Sequence, residues 1–179
     1  MPRYVAFLRA VNVGGRFVKM AELRQALADA GFGDVETHIQ SGNVHVSTAM
    51  RSPAKVAATI ESVLGAWAGF DIPTIARTPG QLSALLVEVD GVPAILAAGA
   101  KRYLALASGP VADEPRKRLE AWDRQGEAVR VLTDAVLGEF ARPFHTITLT
   151  NARLEKITGL TTTWRDLAVV RAVAEKWST

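Results

Sequence analysis

Residues 35–47 read VETHIQSGNVHVS, and their apolar positions recur with a period of two. Val35 and Ile39 share one face before QSGN, and Val44 and Val46 share it after. Alternation interrupted by a Ser-Gly-Asn turn predicts a β-hairpin. Immediately upstream the period changes: Met20, Leu23 and Leu27 recur at helical spacing, and Gly31 can end that helix. Further upstream, residues 3–10 contain the unbroken apolar run Val5, Ala6, Phe7 and Leu8, as in a strand covered on both faces. Strand, helix and hairpin in that order begin a split β-α-β unit.

Downstream the unit completes itself. Ser52 and Pro53 supply a cap and a first helical residue. Val56, Ile60, Val63, Leu64 and Trp67 then form the stripe of a buried helix face. DIPTIA (71–76) predicts a short strand, at a sheet edge because of Pro73. TPGQ (78–81) opens another helix, with Thr78 as cap, Gln81 reaching back, and Leu82, Leu85 and Leu86 inward.

The second half starts in the same way. KRYLALAS (101–108) predicts a strand, DEPRKRLEAW (113–122) a helix and AVRVLTDAVLGEFA (128–141) a hairpin. Its ending is expected to diverge: Asn151 caps a short helix reaching Ile157, Gly159 closes it, and a Thr163/Asp166 capping box in TTWRD (162–166) opens a final helix to Trp177. The expected fold is α+β, two ferredoxin-like (split β-α-β) halves with antiparallel sheets and a helical C-terminal tail. The expected boundaries are residues 1–88, a packed linker at 89–100, and 101–179 with two terminal helices.

The parallel crossover also places a site. The first and second strands must run the same way, so the loop after the first and the hairpin turn after the second share one end of the sheet. One segment, VNVGGRFVKM (11–20), brings Asn12, Gly14, Gly15, Arg16 and Lys19; the other brings Gln40, Ser41, Gly42 and Asn43. Arg9 continues the first strand toward the same rim. Glycines allow close backbone approach, and the start of the first helix adds N–H groups and a positive dipole end. Arg16 can fork onto a phosphate or carboxylate, and Lys19 supplies a point charge. The spacing is neither a P-loop nor a dinucleotide fingerprint. A tight basic turn and ordinary hairpin chemistry explain either loop alone. Both loops at one end bring the two readings level.

Composition bounds the alternatives. A chain of 179 residues can bury a substantial core, and a net charge of +3 permits acidic ligands without requiring nucleic acid. The absence of cysteine excludes disulfides, thiolate metal sites and a cysteine nucleophile. No stretch approaches the ~18 apolar residues of a membrane span, and Arg9 interrupts the short apolar opening, so a cytoplasmic protein is expected. His38, His45 and Glu36 share one hairpin face, but a metal there needs another ligand, and two surface histidines are the favoured reading. His145 is isolated, and Ser41 lacks a nucleophile elbow. No metal, cofactor or catalytic residue is assigned. The four tryptophans fall in apolar helical stripes, Trp67 among them. Only Trp164 joins the candidate ligand set, because a helix N-terminus would bring it near a surface.

Two other functions stay open. Nucleic-acid binding is disfavoured because the third strand, NVHV, has none of the aromatics on which an RNA-recognition sheet stacks bases. A non-catalytic interaction module could dimerise through an exposed strand edge.

The stretch FLRAVNVGGRFVKMAELRQALADAGFGDVETHIQSGNVHVS (7–47) resembles the opening of the bacterial domain-of-unknown-function 1697 family. The likeness is looser beyond it, returning near LEKITGL (154–160) and Trp164. It implies the two related ferredoxin-like halves and no activity. Members usually carry a tyrosine at the place of His38, and Arg-Asn-Trp at the place of Thr162, Thr163 and Trp164.

Overall fold

The computed structural model describes residues 1–96 and 98–178; Ala97, within the expected linker, and Thr179 lie outside the described residues. The first half contains β1 (Arg3–Leu8), α1 (Met20–Asp29), β2 (Gly33–His38), β3 (Asn43–Ser47), α2 (Pro53–Ala68) and β4 (Thr74–Arg77). After α3 (Pro79–Asp90) come β5 (Lys101–Ala107), α4 (Asp113–Glu120), β6 (Glu127–Val131), β7 (Ala135–Phe140), α5 (Asn151–Thr158), β8 (Thr162–Asp166) and α6 (Leu167–Lys176). Two four-stranded sheets result, ordered β2-β3-β1-β4 and β6-β7-β5-β8, with every ladder antiparallel. The protein is α+β and consists of two ferredoxin-like halves. One compact unit comprises Met1–Leu82 with the residues from Val173 on, the other Ser83–Ala172. Among the described residues no helix is long and apolar enough to cross a membrane.

In the first unit alternate residues of β1 and β3 (Tyr4, Ala6, Leu8, Val44, Val46) meet Leu23 and Leu27 of α1 and Val56, Ile60 and Leu64 of α2. The helix starts behave as their residue types dictate. Ser52 Oγ accepts from the Lys55 N–H at 3.4 Å. Thr78 and Gln81 form a reciprocal capping box at 2.9 and 3.1 Å. Two details of the hairpin depart from strict alternation. The β2–β3 register shifts between Gly33 and Glu36, and Asp34 adopts φ 48°. Ile39 leaves the strand altogether: it sits in the turn at φ 50°, with 51% of its surface exposed. The histidine expectation also needs correction. His45 is buried, its Nδ1 lies 2.9 Å from the Asp34 carbonyl, and Trp177 stacks on it with ring centroids 5.6 Å apart.

The larger correction is at the C-terminus. TTWRD is a strand, β8, rather than the opening of the final helix. It pairs along five residues with β5, from Tyr103↔Asp166 to Ala107↔Thr162, and so completes the second split β-α-β unit. Two threonines and a tryptophan suit a half-buried pleated surface better than a first helical turn. The Thr163 hydroxyl accepts from Arg165, and Asp166 instead accepts from the Ala168 N–H, so the capping box does not form. Thr150, one residue before Asn151, caps α5, and Gly159 closes it at φ 70°.

The duplication is visible atom by atom. Leu8↔Thr74 through Val5↔Arg77 in one half matches Ala107↔Thr162 through Leu104↔Arg165 in the other. Arg77 and Arg165 occupy the same register position, and each donates to the carbonyl of the residue before it. Burial pushes Arg165 down to about 10, still protonated at neutral pH.

Two buried carboxylates brace the second unit. Glu127 accepts from the Thr148 N–H at 2.6 Å, the Thr148 hydroxyl at 2.8 Å and the Trp122 indole at 3.0 Å. Glu139 accepts from the Ile95 and Leu96 amides and from Arg102. Burial pushes both carboxyls up, but these bonds outweigh it and hold both below the ordinary glutamate value. A depressed folded value means stability that is present above the unfolded value and lost as pH falls through the folded one. We expect the urea midpoint to fall on acidification below about pH 4.5. Glu127→Gln should lower stability at neutral pH by roughly 1–3 kcal/mol and make the acid loss shallower; an unaltered pH profile would show that Glu127 does not carry it.

Gly42 gives a second test. It lies at φ 77°, and a Cβ there would be 2.9 Å from Leu8 Cβ and 3.2 Å from the Leu8 carbonyl oxygen. Gly42→Ala should cost roughly 1–3 kcal/mol in denaturant unfolding, and a loss of only a few tenths would mean that the turn relaxes freely.

Candidate functional site

The loop after β1 and the turn after β2 lie side by side. The Leu8 N–H donates to the Gly42 carbonyl at 2.7 Å, and Asn12 Nδ2 donates to the Gln40 carbonyl at 2.8 Å. Asn12 also folds its own loop: its Oδ1 accepts from the Val18 N–H at 2.8 Å, and its backbone N–H donates to the Arg16 carbonyl. Ala10 and Asn12 adopt φ 60° and 57°, so among the described residues three of the four left-handed non-glycine positions (Ile39 is the third) belong to this rim. Such conformations cost about 1–3 kcal/mol each and cluster where a backbone is held for function.

A third segment reaches the rim. β3 runs away from this end, so α2 must come back toward it and β4 must leave from it. The last turn of α2 and the residues after it therefore bring Trp67 and Phe70 alongside the first loop. Together the three segments bound a cleft of about 730 Å³, lined by Asn12, Phe17, Lys19, Arg24, Gln40 and Trp67 among others. The first turn of α1 (Met20, Ala21, Glu22) forms another part of the wall. No side chain caps that helix, so its first N–H groups and positive end face the cleft.

The cations around it are held to different degrees. Arg24 donates to the Thr37 hydroxyl at 2.7 Å, which fixes its guanidinium. Arg16 lies over the Phe70 ring, with Cζ 5.4 Å from the centroid. Lys19 pairs with Glu22 at 3.2 Å, both side chains more than half exposed; such a pair is worth a few tenths of a kcal/mol and is easily exchanged for another anion.

The residues singled out from sequence divide into those that hold the rim and those that it presents. Asn12 is committed to the loop, as described. Asn43 is buried, and its Nδ2 donates to the His38 carbonyl and the Ser41 hydroxyl. Gly42 is packed against Leu8, and the Arg9 N–H donates to the Pro73 carbonyl. Gly14, Gly15, Arg16, Lys19 and Gln40 are exposed, and a Cβ at either glycine would meet open space. Trp164 is a core residue of the second unit, its indole N–H donating to the Leu149 carbonyl at 3.0 Å. Phe17, Arg24, Trp67 and Phe70 were not anticipated. Trp67 has the angular spacing of a buried residue but is 37% exposed, because it lies on the last turn of α2. The crossover rule that joined the first two loops would also have delivered this third one.

The second unit repeats the rim's backbone bonds. The Ala107 N–H donates to the Asp134 carbonyl and the Ser108 N–H to the Thr161 carbonyl, as Leu8 does to Gly42 and Arg9 to Pro73. There, however, the Thr161 N–H donates back to the Ser108 hydroxyl, and Arg116 spends its guanidinium on the Val131 and Leu132 carbonyls. Among the described residues no group of three or more acidic, histidine or cysteine side chains could hold a metal ion.

The family described as Protein of unknown function (DUF1697) matches residues 1–158. Among solved structures, the chain is similar to the conserved bacterial protein SP0830 from Streptococcus pneumoniae, with a TM-score of 0.73 and 21% identity over 100% of this chain and 99% of that one. That likeness is one of fold. No curated protein matches the chain.

The role of Asn12 is testable without disturbing its backbone conformation, since glycine tolerates φ 57°. Asn12→Gly should cost about 1–2 kcal/mol and speed hydrogen exchange at the Val18 amide, whereas unchanged exchange there would remove Asn12 as the tie between the loops.

Proposed function

The chain belongs to the DUF1697 family, whose description assigns no activity, and we propose that it binds a small phosphate- or carboxylate-bearing ligand at the first-half rim. One observation carries this reading: the uncapped start of α1 opens into a cleft that Lys19 and Arg24 line, with Arg16 beside it. The helix start and the cations there favour negative charge. Glu22 is the one acid in that wall, and Lys19 already neutralises it. Gly14 and Gly15 leave space for an anion to approach the backbone.

The second unit supports the reading by contrast. At its equivalent rim the Arg116 guanidinium is engaged with the Val131 and Leu132 carbonyls and the Ser108 hydroxyl with the Thr161 N–H, so these groups are already bonded to backbone. The proposal is for binding and names no reaction. We take the protein to be cytoplasmic, since a cysteine-free sequence suits a reducing compartment.

Thermal unfolding of the intact chain against phosphate, pyrophosphate, sugar phosphates and di- and tricarboxylates tests this. A ligand at ~100 times its dissociation constant should add roughly 2.7 kcal/mol. Arg16→Ala combined with Lys19→Ala should abolish the shift and leave the ligand-free transition in place. Unchanged affinity for every anion that the unaltered chain binds would remove the rim as the site.

A further inference from the structure

Large apolar side chains are exposed at five places in the first unit, among the described residues: Met1, Val13, Phe17, Ile39 and Trp67. Apart from the terminal Met1, all lie on the three segments that meet at the rim. Phe17 is the extreme case, 78% exposed on a loop tip. Trp67 and Phe70 line the same cleft, and Phe70 carries Arg16 on its ring. Of these, Phe17 and Trp67 line the cleft itself, and exposed aromatic surface in a concave place beside cations marks a ligand site rather than incidental exposure.

Resting on the anion reading above, we infer that the ligand joins a flat nitrogenous ring to its phosphate: a nucleotide. The two halves of such a molecule match the two chemistries of the cleft. The base stacks on Phe17 and Trp67, while the phosphate takes Lys19, Arg24 and the first amides of α1. Stacking on aromatics accepts any base because every base has a π-face, so discrimination among bases is weak. Gln40, the neutral amide on the cleft wall, is the side chain placed to read a base edge. The missing aromatics in β3 do not count against this site, which lies at the sheet's end and not on its face. A free nucleotide and a nucleotide within a single strand carry the same chemistry.

The test is a set of titrations of the intact chain, followed by calorimetry and by tryptophan emission, with AMP, adenosine, pyrophosphate and a short single-stranded oligoadenylate. AMP should bind about tenfold or more tighter than adenosine and than pyrophosphate. Phe17→Ala and Trp67→Ala should each weaken AMP about tenfold and leave pyrophosphate unaffected; Phe17 is 78% exposed, so its variant should unfold as the unaltered chain does, whereas Trp67 is only 37% exposed and its alanine variant is compared at a temperature below its own transition. Trp67→Phe should keep the affinity but lose the emission change. Pyrophosphate binding with no gain for AMP, insensitive to both aromatic variants, overturns the nucleotide and leaves the anion site standing. Adenosine binding as tightly as AMP, indifferent to Arg16→Ala with Lys19→Ala, overturns the anion site itself, and no binding by any of the four overturns both. Oligoadenylate bound more tightly per nucleotide than AMP identifies a strand as the source, and the reverse identifies the free nucleotide; either supports the inference.

Discussion

The structure of the first half depends on one directional constraint. The α1 crossover makes β1 and β2 parallel, and β3 then enters between them antiparallel to both. From this it follows that the β1–α1 loop, the β2–β3 turn and the end of α2 share one end of the sheet. The Leu8–Gly42 hydrogen bond is where that constraint becomes local. It requires two backbones in close approach, and the close approach requires glycine: a Cβ at position 42 would overlap Leu8. The residue that looked most like part of a ligand cradle is therefore the one that lets the cradle's two walls meet.

The second half shows how much of the rim comes from the skeleton and how much from the loops. Strand order, register and the bonds that close the strand ends are repeated, from Leu8–Gly42 to Ala107–Asp134 and from Arg9–Pro73 to Ser108–Thr161. What differs is the connection. Residues 108–112 pass directly from β5 to α4, and Arg116 donates to the Val131 and Leu132 carbonyls. Residues 9–19 make a longer excursion, organised around Asn12, that carries Phe17 and the cations outward. The cleft of the first half is thus shaped by one loop on a skeleton that both halves share.

Most of this was legible in the letters where the information is local. The QSGN hairpin, the Ser52 and Thr78 caps and the switch of apolar period each involve residues within one turn of one another, and local chemistry decides them. The failures share a different character. TTWRD carries both a capping-box pattern and β-branched residues, and what decides between them is the free edge of β5, far upstream in the chain. The helical stripe through Val56, Ile60 and Leu64 gives Trp67 the right angle but says nothing about position along the axis, so it could not show that the last turn of α2 borders a cleft. Alternation through Val35 and Ile39 could not register the shift near Asp34. His45 reads as a surface residue until Trp177, from the other end of the chain, lies on it. In the candidate site the polar residues show a pattern in the sequence, whereas Trp67 reads as core and Phe17 carries no signal, because exposure of an aromatic is a tertiary fact.

The energetics of the rim separate what is rigid from what is loose. Ala10, Asn12 and Ile39 are held in left-handed conformations, each costing about 1–3 kcal/mol, and the compensating bonds of Asn12 and Gly42 run between the loops themselves. The backbone at this end is consequently fixed in advance, as is the Arg24 guanidinium on Thr37. Lys19 is not: its side chain is exposed and its partner Glu22 is weakly held. A ligand arriving at such a site orders one lysine, at about 0.5–1.5 kcal/mol for the immobilised side chain, and meets walls that are already in place. That division explains why the side chains most engaged in hydrogen bonds here, Asn12 and Asn43, are the ones with least left to offer a ligand. The groups that could discriminate between ligands are the exposed ones, which the rest of the rim exists to position.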